Sequence, residues 1–238
     1  MERKEFILDC TLCEQLKNSL FNGLQPEDLS RINVHKTCIR YKKGQNVFYE
    51  GTRPMGLFCV NGGKVKVYKN NAQGKEFILY ISKPGDFLGY RALLSEEIYG
   101  ATATVLEDAK ICFIQKEDFL AVLQKNPLFL RKVVKHVCVQ MGIMEERMAD
   151  LAHKSVRERL AANLLMLKES YGMEGEESVL LDIALSRDDL ANLVGTATET
   201  VIRLLSDFKA DELISFEGKK IRVLDPKRLA KQADLILA

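Results

Sequence analysis

Apolar residues fall at Leu130, Val134, Val137, Met141, Met144, Met148 and Leu151, in steps of 4, 3, 4, 3, 4 and 3. An α-helix gathers such positions into one narrow stripe, and a stripe of heptad regularity packs readily against a second copy of itself. Arg131, Lys132, Lys135, Glu145, Glu146 and Arg147 fill positions between them and would face water. At its standard rise per residue the segment would be roughly 33 Å long. The spacing predicts one long helix, entered through Asn126-Pro127, with the stripe as a dimer seam. A core helix inside a single domain is the alternative.

Upstream, between about residue 34 and residue 115, the pattern changes to short β-branched and aromatic runs. They cover 45–49, 57–60, 64–68, 77–81, 101–105 and 109–114, with turns at Gly44, Gly51, Gly63, Gly74 and Gly85. Many short strands punctuated in this way predict an antiparallel sandwich or barrel. Val65 and Val67 alternate with Lys64 and Lys66, which predicts one wet face. Before this region lie Cys10-Thr-Leu-Cys13 and a helix start at Pro26-Glu27-Asp28. After it, 117–123 has helical spacing.

Downstream of the long helix, 152–155 reads as a hinge, 156–170 as a helix and 172–177 as a polar loop. A helix-turn-helix pattern then runs from Ser186 to Leu205. Ser186 with Asp189, and Thr196 with Glu199, resemble capping boxes. Ala191 suits a close crossing and Gly195 a turn of positive φ. Leu190, Val194, Val201 and Leu204 form the inner side, leaving Thr198, Glu199, Ile202 and Arg203 on the outer face. Arg can donate to guanine and Glu can accept from cytosine, so this face carries groups for major-groove readout. The following segment turns at Glu217-Gly218, and Lys219, Lys220 and Arg222 make it a phosphate-contacting wing. A short helix follows Pro226.

Charge adds little to this. The 238 residues carry a formal net charge of +2, and 196–222 holds as many acidic as basic side chains. The DNA reading therefore rests on pattern rather than on a basic footprint. No apolar run reaches membrane-spanning length and the first residues are too polar for a signal peptide. A cytoplasmic protein without a membrane partner is expected, and its six cysteines are expected to be thiols or ligands rather than disulfides.

Three stretches carry a family likeness: 85–89 (Gly-Asp-Phe-Leu-Gly), Asn126-Pro127 with the seam helix, and 185–195 through 199–203. The chain resembles the Crp/Fnr family of bacterial transcription regulators over nearly its whole length. The resemblance implies an α+β chain: an antiparallel, cyclic-nucleotide-binding-like β-roll (1–125), a dimerisation helix (126–152) and a winged helix-turn-helix (153–238). It implies no enzyme activity, and as partners double-stranded promoter DNA, a second copy of the chain and RNA polymerase. Arg187 and Thr200 would touch phosphates, while Glu199 and Arg203 would read bases. Thr198 stands where the Crp branch has a third base-reading Arg, so the pattern is nearer the Fnr branch. Ile202 departs from the Ser usual there, so the half-site need not be that branch's sequence.

Family members bind an effector in the β-roll or carry a metal centre beside it. By resemblance the effector position comprises Gly89, Tyr90, Arg91, Tyr99 and Gly100, with Met144 and Glu145 from the long helix. The cyclic AMP pocket needs a Glu where Tyr90 stands and an Arg-Ser pair where Tyr99 and Gly100 stand. A buried phosphate without its Arg is costly, so cyclic AMP is not expected. Cys10, Cys13 and Cys112 lie where oxygen-sensing Fnr proteins place iron–sulfur ligands, although Ser19 replaces a further Cys. They could also form a thiol switch, or be structurally silent. Cys38, Cys59 and Cys138 read as buried small hydrophobes. His35, His136 and His153 form no haem motif. Two other function classes are a non-DNA cyclic-nucleotide module and a thiol oxidoreductase using Cys10 and Cys13; the latter lacks a βαβ context.

Overall fold

The computed structural model describes residues 9–173 and 178–234. The extreme N-terminus and most of the loop expected over 172–177 lie outside them. The chain divides into two units, up to Gly142 and from Ile143.

The first unit opens with two 3-10 turns, Cys10–Leu12 and Leu16–Asn18, and α1 (Pro26–His35). Then come β1 (Thr37–Tyr41), β2 (Asn46–Phe48), β3 (Gly56–Gly62), β4 (Val65–Asn70), β5 (Glu76–Ser82) and β6 (Phe87–Leu88). After α2 (Tyr90–Leu94) follow β7 (Thr102–Val105), β8 (Ala109–Gln115) and α3 (Lys116–Lys125). The strands form two antiparallel sheets, ordered β1-β8-β3-β6 and β2-β7-β4-β5. Between them Val60, Val65, Val67, Ala103, Val105 and Ile111 make one core. A second core gathers Phe21, Leu24, Ile32, Phe119, Phe129 and Val133, and so fastens the N-terminal turns and the start of the long helix to the roll.

The expected wet face at Lys64 and Lys66 is corrected. Lys64 is 8% exposed and its ammonium meets Glu107 at 2.8 Å, while Lys66 is paired with Glu76. The alternation is real, but both sides of β4 are covered, and burial of the two lysines is sustained by partner carboxylates.

Helix α4 (Pro127–His153) is continuous across the division between the units. Asn126 accepts from the amide of Phe129 at 3.0 Å, which caps its start. Its buried residues are Phe129 and Val133, whereas Leu130, Val134, Val137, Met141, Met148 and Leu151 are exposed and Met144 is half-buried. The heptad stripe is therefore open apolar surface.

In the second unit, Ser155 and Glu158 form a full capping box at the start of α5 (Val156–Tyr171), whose Leu160, Leu164 and Leu167 are buried. After β9 (Val179–Leu180) come α6 (Arg187–Val194) and α7 (Thr198–Ala210), then β10 (Ile214–Glu217), β11 (Lys220–Val223) and α8 (Pro226–Gln232). Strands β10, β11 and β9 form a three-stranded sheet beside the helix pair. Among the described residues no helix is long and apolar enough to cross a membrane.

Candidate nucleic-acid interface and sensor elements

The helix pair is built as its pattern predicts. Ser186 accepts from the amide of Asp189 at 2.9 Å and starts α6, and Gly195, at φ 75°, ends it. Val201, Leu204, Leu205 and Phe208 bury one side of α7; Glu199, Ile202 and Arg203 are exposed on the other. Neither the Glu199 nor the Arg203 side chain has a hydrogen bond or ion pair among the described residues, so both polar heads are available to a ligand.

Other expected contacts are already engaged. Thr198 donates to Asp188 at 2.7 Å and ties α7 to α6. The cap of α7 is Ala197, one residue after the expected Thr196, and it makes no side-chain bond. Thr200 is half-buried. Arg187 stacks over the Phe216 ring at 4.7 Å. On the wing, Lys219 is exposed, while Lys220 pairs with Asp182 at 2.6 Å and Arg222 with Glu217 at 2.6 Å. Arg157 takes Asp211 at 2.8 Å and Asp207 at 3.8 Å. Much of the acidic charge that offsets the basic residues in the sequence is thus neutralised in place.

Arg159, which the sequence pattern does not single out, and Arg147, which is half-buried rather than facing water as expected, hold the turn between α6 and α7. Arg159 donates to the carbonyls of Val194 at 3.1 Å, Gly195 at 3.4 Å and Lys154 at 2.7 Å. Arg147, on α4, donates to Leu193 at 3.2 Å. They satisfy the orphan carbonyls at the end of α6, which otherwise find no partner within the helix. No local pattern signals such bonds, because donor and acceptor lie far apart in the chain.

In the first unit Gly89 caps α2 at φ 82°, and a Cβ there would come within 2.9 Å of the Tyr99 ring. Tyr99 is buried, stacks on Phe48 at 4.0 Å, and donates to the carbonyl of Gly56 at 3.3 Å. Burial raises its phenol to about 12. Tyr90 meets the edge of the His136 ring on α4 at 5.3 Å. Burial lowers the pKa of His136 and raises that of Asp86 nearby. Arg91 is exposed, 3.2 Å from Glu97. With Gly100, Arg53, Met55, Ile98 and Lys116 it lines an open cleft of about 770 Å³. The expected effector residues therefore separate: Tyr99 fills the interior, whereas Arg91 and Gly100 face the cleft. Met144 and Glu145 belong to the second unit.

The cysteine expectations need correction. Cys38 and Cys112 are joined by a disulfide between β1 and β8, so Cys112 is neither a thiol nor a ready metal ligand. Cys59 is half-buried, lining a cavity with Cys10, Cys13 and Cys112, and Cys138 is exposed. Ser19, in place of a further Cys, donates to the Leu16 carbonyl at 2.9 Å. Among the described residues no three His, Cys, Asp or Glu form a group that could hold a metal ion. As arranged, the residues do not fit an iron–sulfur cluster. His35 is taken by Asp118 at 2.9 Å.

The family described as Cyclic nucleotide-binding domain matches residues 38–126, and that described as Crp-like helix-turn-helix domain matches 158–232. The CRP-like cAMP-activated global transcriptional regulator of Mycobacterium tuberculosis is 25% identical over 214 residues, 90% of this chain and 96% of its own. The Fumarate and nitrate reduction regulatory protein of Vibrio cholerae is 27% identical over 225 residues, 94% of this chain and 89% of its own. A solved transcriptional regulator of the CRP/FNR family from Thermus thermophilus superposes with a TM-score of 0.68 at 25% identity, covering 83% of this chain and 98% of that one.

The chain belongs to the Crp/Fnr family of transcription regulators.

The fold of this Crp/Fnr regulator also matches FixK2 from Bradyrhizobium japonicum, with a TM-score of 0.75 at 23% identity, covering 86% of this chain and all of that one. Its domains and relatives are those of DNA-binding regulators rather than enzymes, which leaves the thiol oxidoreductase reading without support.

Proposed function

We propose that this regulator is a cytoplasmic homodimer that binds an inverted repeat in promoter DNA and activates transcription through RNA polymerase. In this reading 1–125 is the sensor, 126–152 the dimerisation helix and 153–238 the DNA-binding part. The observation that carries it is the pair of unengaged heads, Glu199 and Arg203, on the outer face of a recognition helix. The open heptad stripe of α4 supports a partner copy, because buried apolar area is the main gain on association. Two recognition helices would then enter successive major grooves about 34 Å apart.

Arg203 and Glu199 read base edges, Ile202 contacts a thymine methyl or sugar, and Thr198, Thr200, Arg187, Lys219 and Lys220 position the backbone. Lys220 exchanges Asp182 for a phosphate on binding. The effector occupies the cleft beside Arg91 and Gly100 rather than the roll interior, and cyclic AMP is not it, since Tyr99 occupies the place of the phosphate-binding Arg. Met144 and Glu145 are the helix positions through which the effector state would be passed on. An iron–sulfur cluster on Cys10, Cys13 and Cys112 would first require reduction of the Cys38–Cys112 bond.

Selection from a randomised duplex pool at low salt tests the proposal. Enrichment of an inverted repeat supports it, and failure to shift any duplex, with or without candidate effectors, refutes it.

A further inference from the structure

Five of the six cysteines converge on one patch of the first unit. Cys38 on β1, Cys112 on β8 and Cys59 on β3 stand opposite one another in register. Directly opposed residues of antiparallel strands project to the same face, so the three side chains form a row with Cys112 in the middle. Cys112 is bonded to Cys38 on one side. On its other side stands the free thiol of Cys59.

The row is covered by the N-terminal turns. Cys59 and Cys112 line a cavity of about 30 Å³ together with Cys10 and Cys13. Lys36 donates to the Cys10 sulfur at 3.0 Å, and Asn61 to the Cys13 sulfur at 3.3 Å.

We propose that this row is a thiol–disulfide exchange site in which Cys112 alternates between Cys38 and Cys59. Deprotonated Cys59 attacks the Cys112 sulfur along the disulfide. The Cys59–Cys112 bond forms, the Cys38–Cys112 bond breaks, and Cys38 leaves as a thiolate that takes up a proton. One disulfide is consumed and one is made, so no external oxidant enters this step. The new bond lies on the cavity wall, where Cys13 can repeat the reaction on Cys59, forming Cys13–Cys59 and releasing Cys112 as a thiol. Entry from the fully reduced chain uses a small disulfide such as oxidised glutathione, which leaves as two thiols.

Burial pushes the Cys59 thiol up, which sets the rate of its attack rather than the connectivity. The consequence lies in packing. Cys10 shares its core with Phe129 and Val133 at the start of α4, so a bond from the covering segment to β3 would fix the packing beneath that helix. The inference goes beyond the regulator reading, and its test uses no DNA and stands or falls separately.

The full chain is equilibrated in glutathione buffers of graded poise, quenched in acid, alkylated, and mapped by mass spectrometry without reduction. The expected result is a mixture of Cys38–Cys112 and Cys59–Cys112 linkages in the parent protein. Cys59→Ser should retain only the first, and Cys38→Ser should pass Cys112 to Cys59; Cys38→Ala serves if the serine variant misfolds. Cys38–Cys112 as the sole linkage at every poise, with Cys112 left as a thiol in both Cys38 variants, overturns the proposal. So does protein isolated without oxygen that carries iron and acid-labile sulfide on these cysteines.

Discussion

The Arg159 guanidinium donates to the carbonyl of Val194 at 3.1 Å, across the α5–α6 contact. Its other bonds reach Gly195 in the helix-turn-helix turn and Lys154 just after α4. One side chain on α5 therefore joins the end of the long helix to the turn that sets the angle of α7.

Arg159→Ala leaves up to three carbonyls dependent on water, at a cost of about 1–3 kcal/mol. We expect a lower melting temperature and a weakened preference for specific over random duplex. Arg159→Lys, which keeps the charge but cannot span three acceptors, should recover little of that preference. Equal specificity in all three proteins, measured by competition binding, would show that Arg159 supports stability alone.

Arg203→Ala is expected to relax selection at one base pair of each half-site, at a cost of about 1–3 kcal/mol. Binding to random duplex should change far less. An equal loss on both would make Arg203 a backbone contact.

Met141 is 59% exposed in the single chain, in the middle of the apolar stripe. Met141→Lys would place an unpaired charge in the proposed seam, so the dimer should dissociate in sedimentation velocity while the monomer keeps its helical circular dichroism. An unchanged sedimentation coefficient would show that the copies do not meet along α4.

His136 gives a pH dependence whose sign follows from its environment. Burial holds its folded pKa below 6.5, so the unfolded chain binds the proton more readily as pH falls below 6.5. Its contribution is complete above that value and is lost on the way down to its folded pKa. Asp86 works oppositely: burial raises its carboxyl above 3.8, so stability is lost as pH rises from 3.8 through its folded value. His136→Gln removes the first effect and leaves the burial of Asp86, whose carboxyl also loses the lowering influence of the imidazolium. Denaturant titrations from pH 7 to pH 5 should therefore show a shallower decline in the variant, and identical slopes would discount His136.

The parts legible in the sequence are those encoded by local period. The seam of α4 and the buried side of α7 follow from helical spacing, and six strand runs from alternation and turn residues. Strand β1 gives no such signal because Thr37–Tyr41 carries a charged residue and is largely unburied, and β6 gives none because two residues are too few for a pattern. Lys64 and Lys66 suggest a wet face in the sequence because their partners, Glu107 and Glu76, come from other turns of the chain. The Cys38–Cys112 bond spans a sequence separation of 74, and Arg159 is 35 residues from Val194. Such pairings depend on strand register and helix crossing, which no local window contains.

The central claim is that α7 reads a two-fold operator through Glu199 and Arg203. It is tested most directly by sequencing the duplexes that the purified protein enriches from a randomised pool, in parallel with the Arg203→Ala protein. The account predicts an inverted repeat whose half-site centres lie about one helical turn apart, with the variant losing preference at one symmetric pair of positions. Enrichment of no sequence, or of the same sequence with undiminished preference by both proteins, would contradict it.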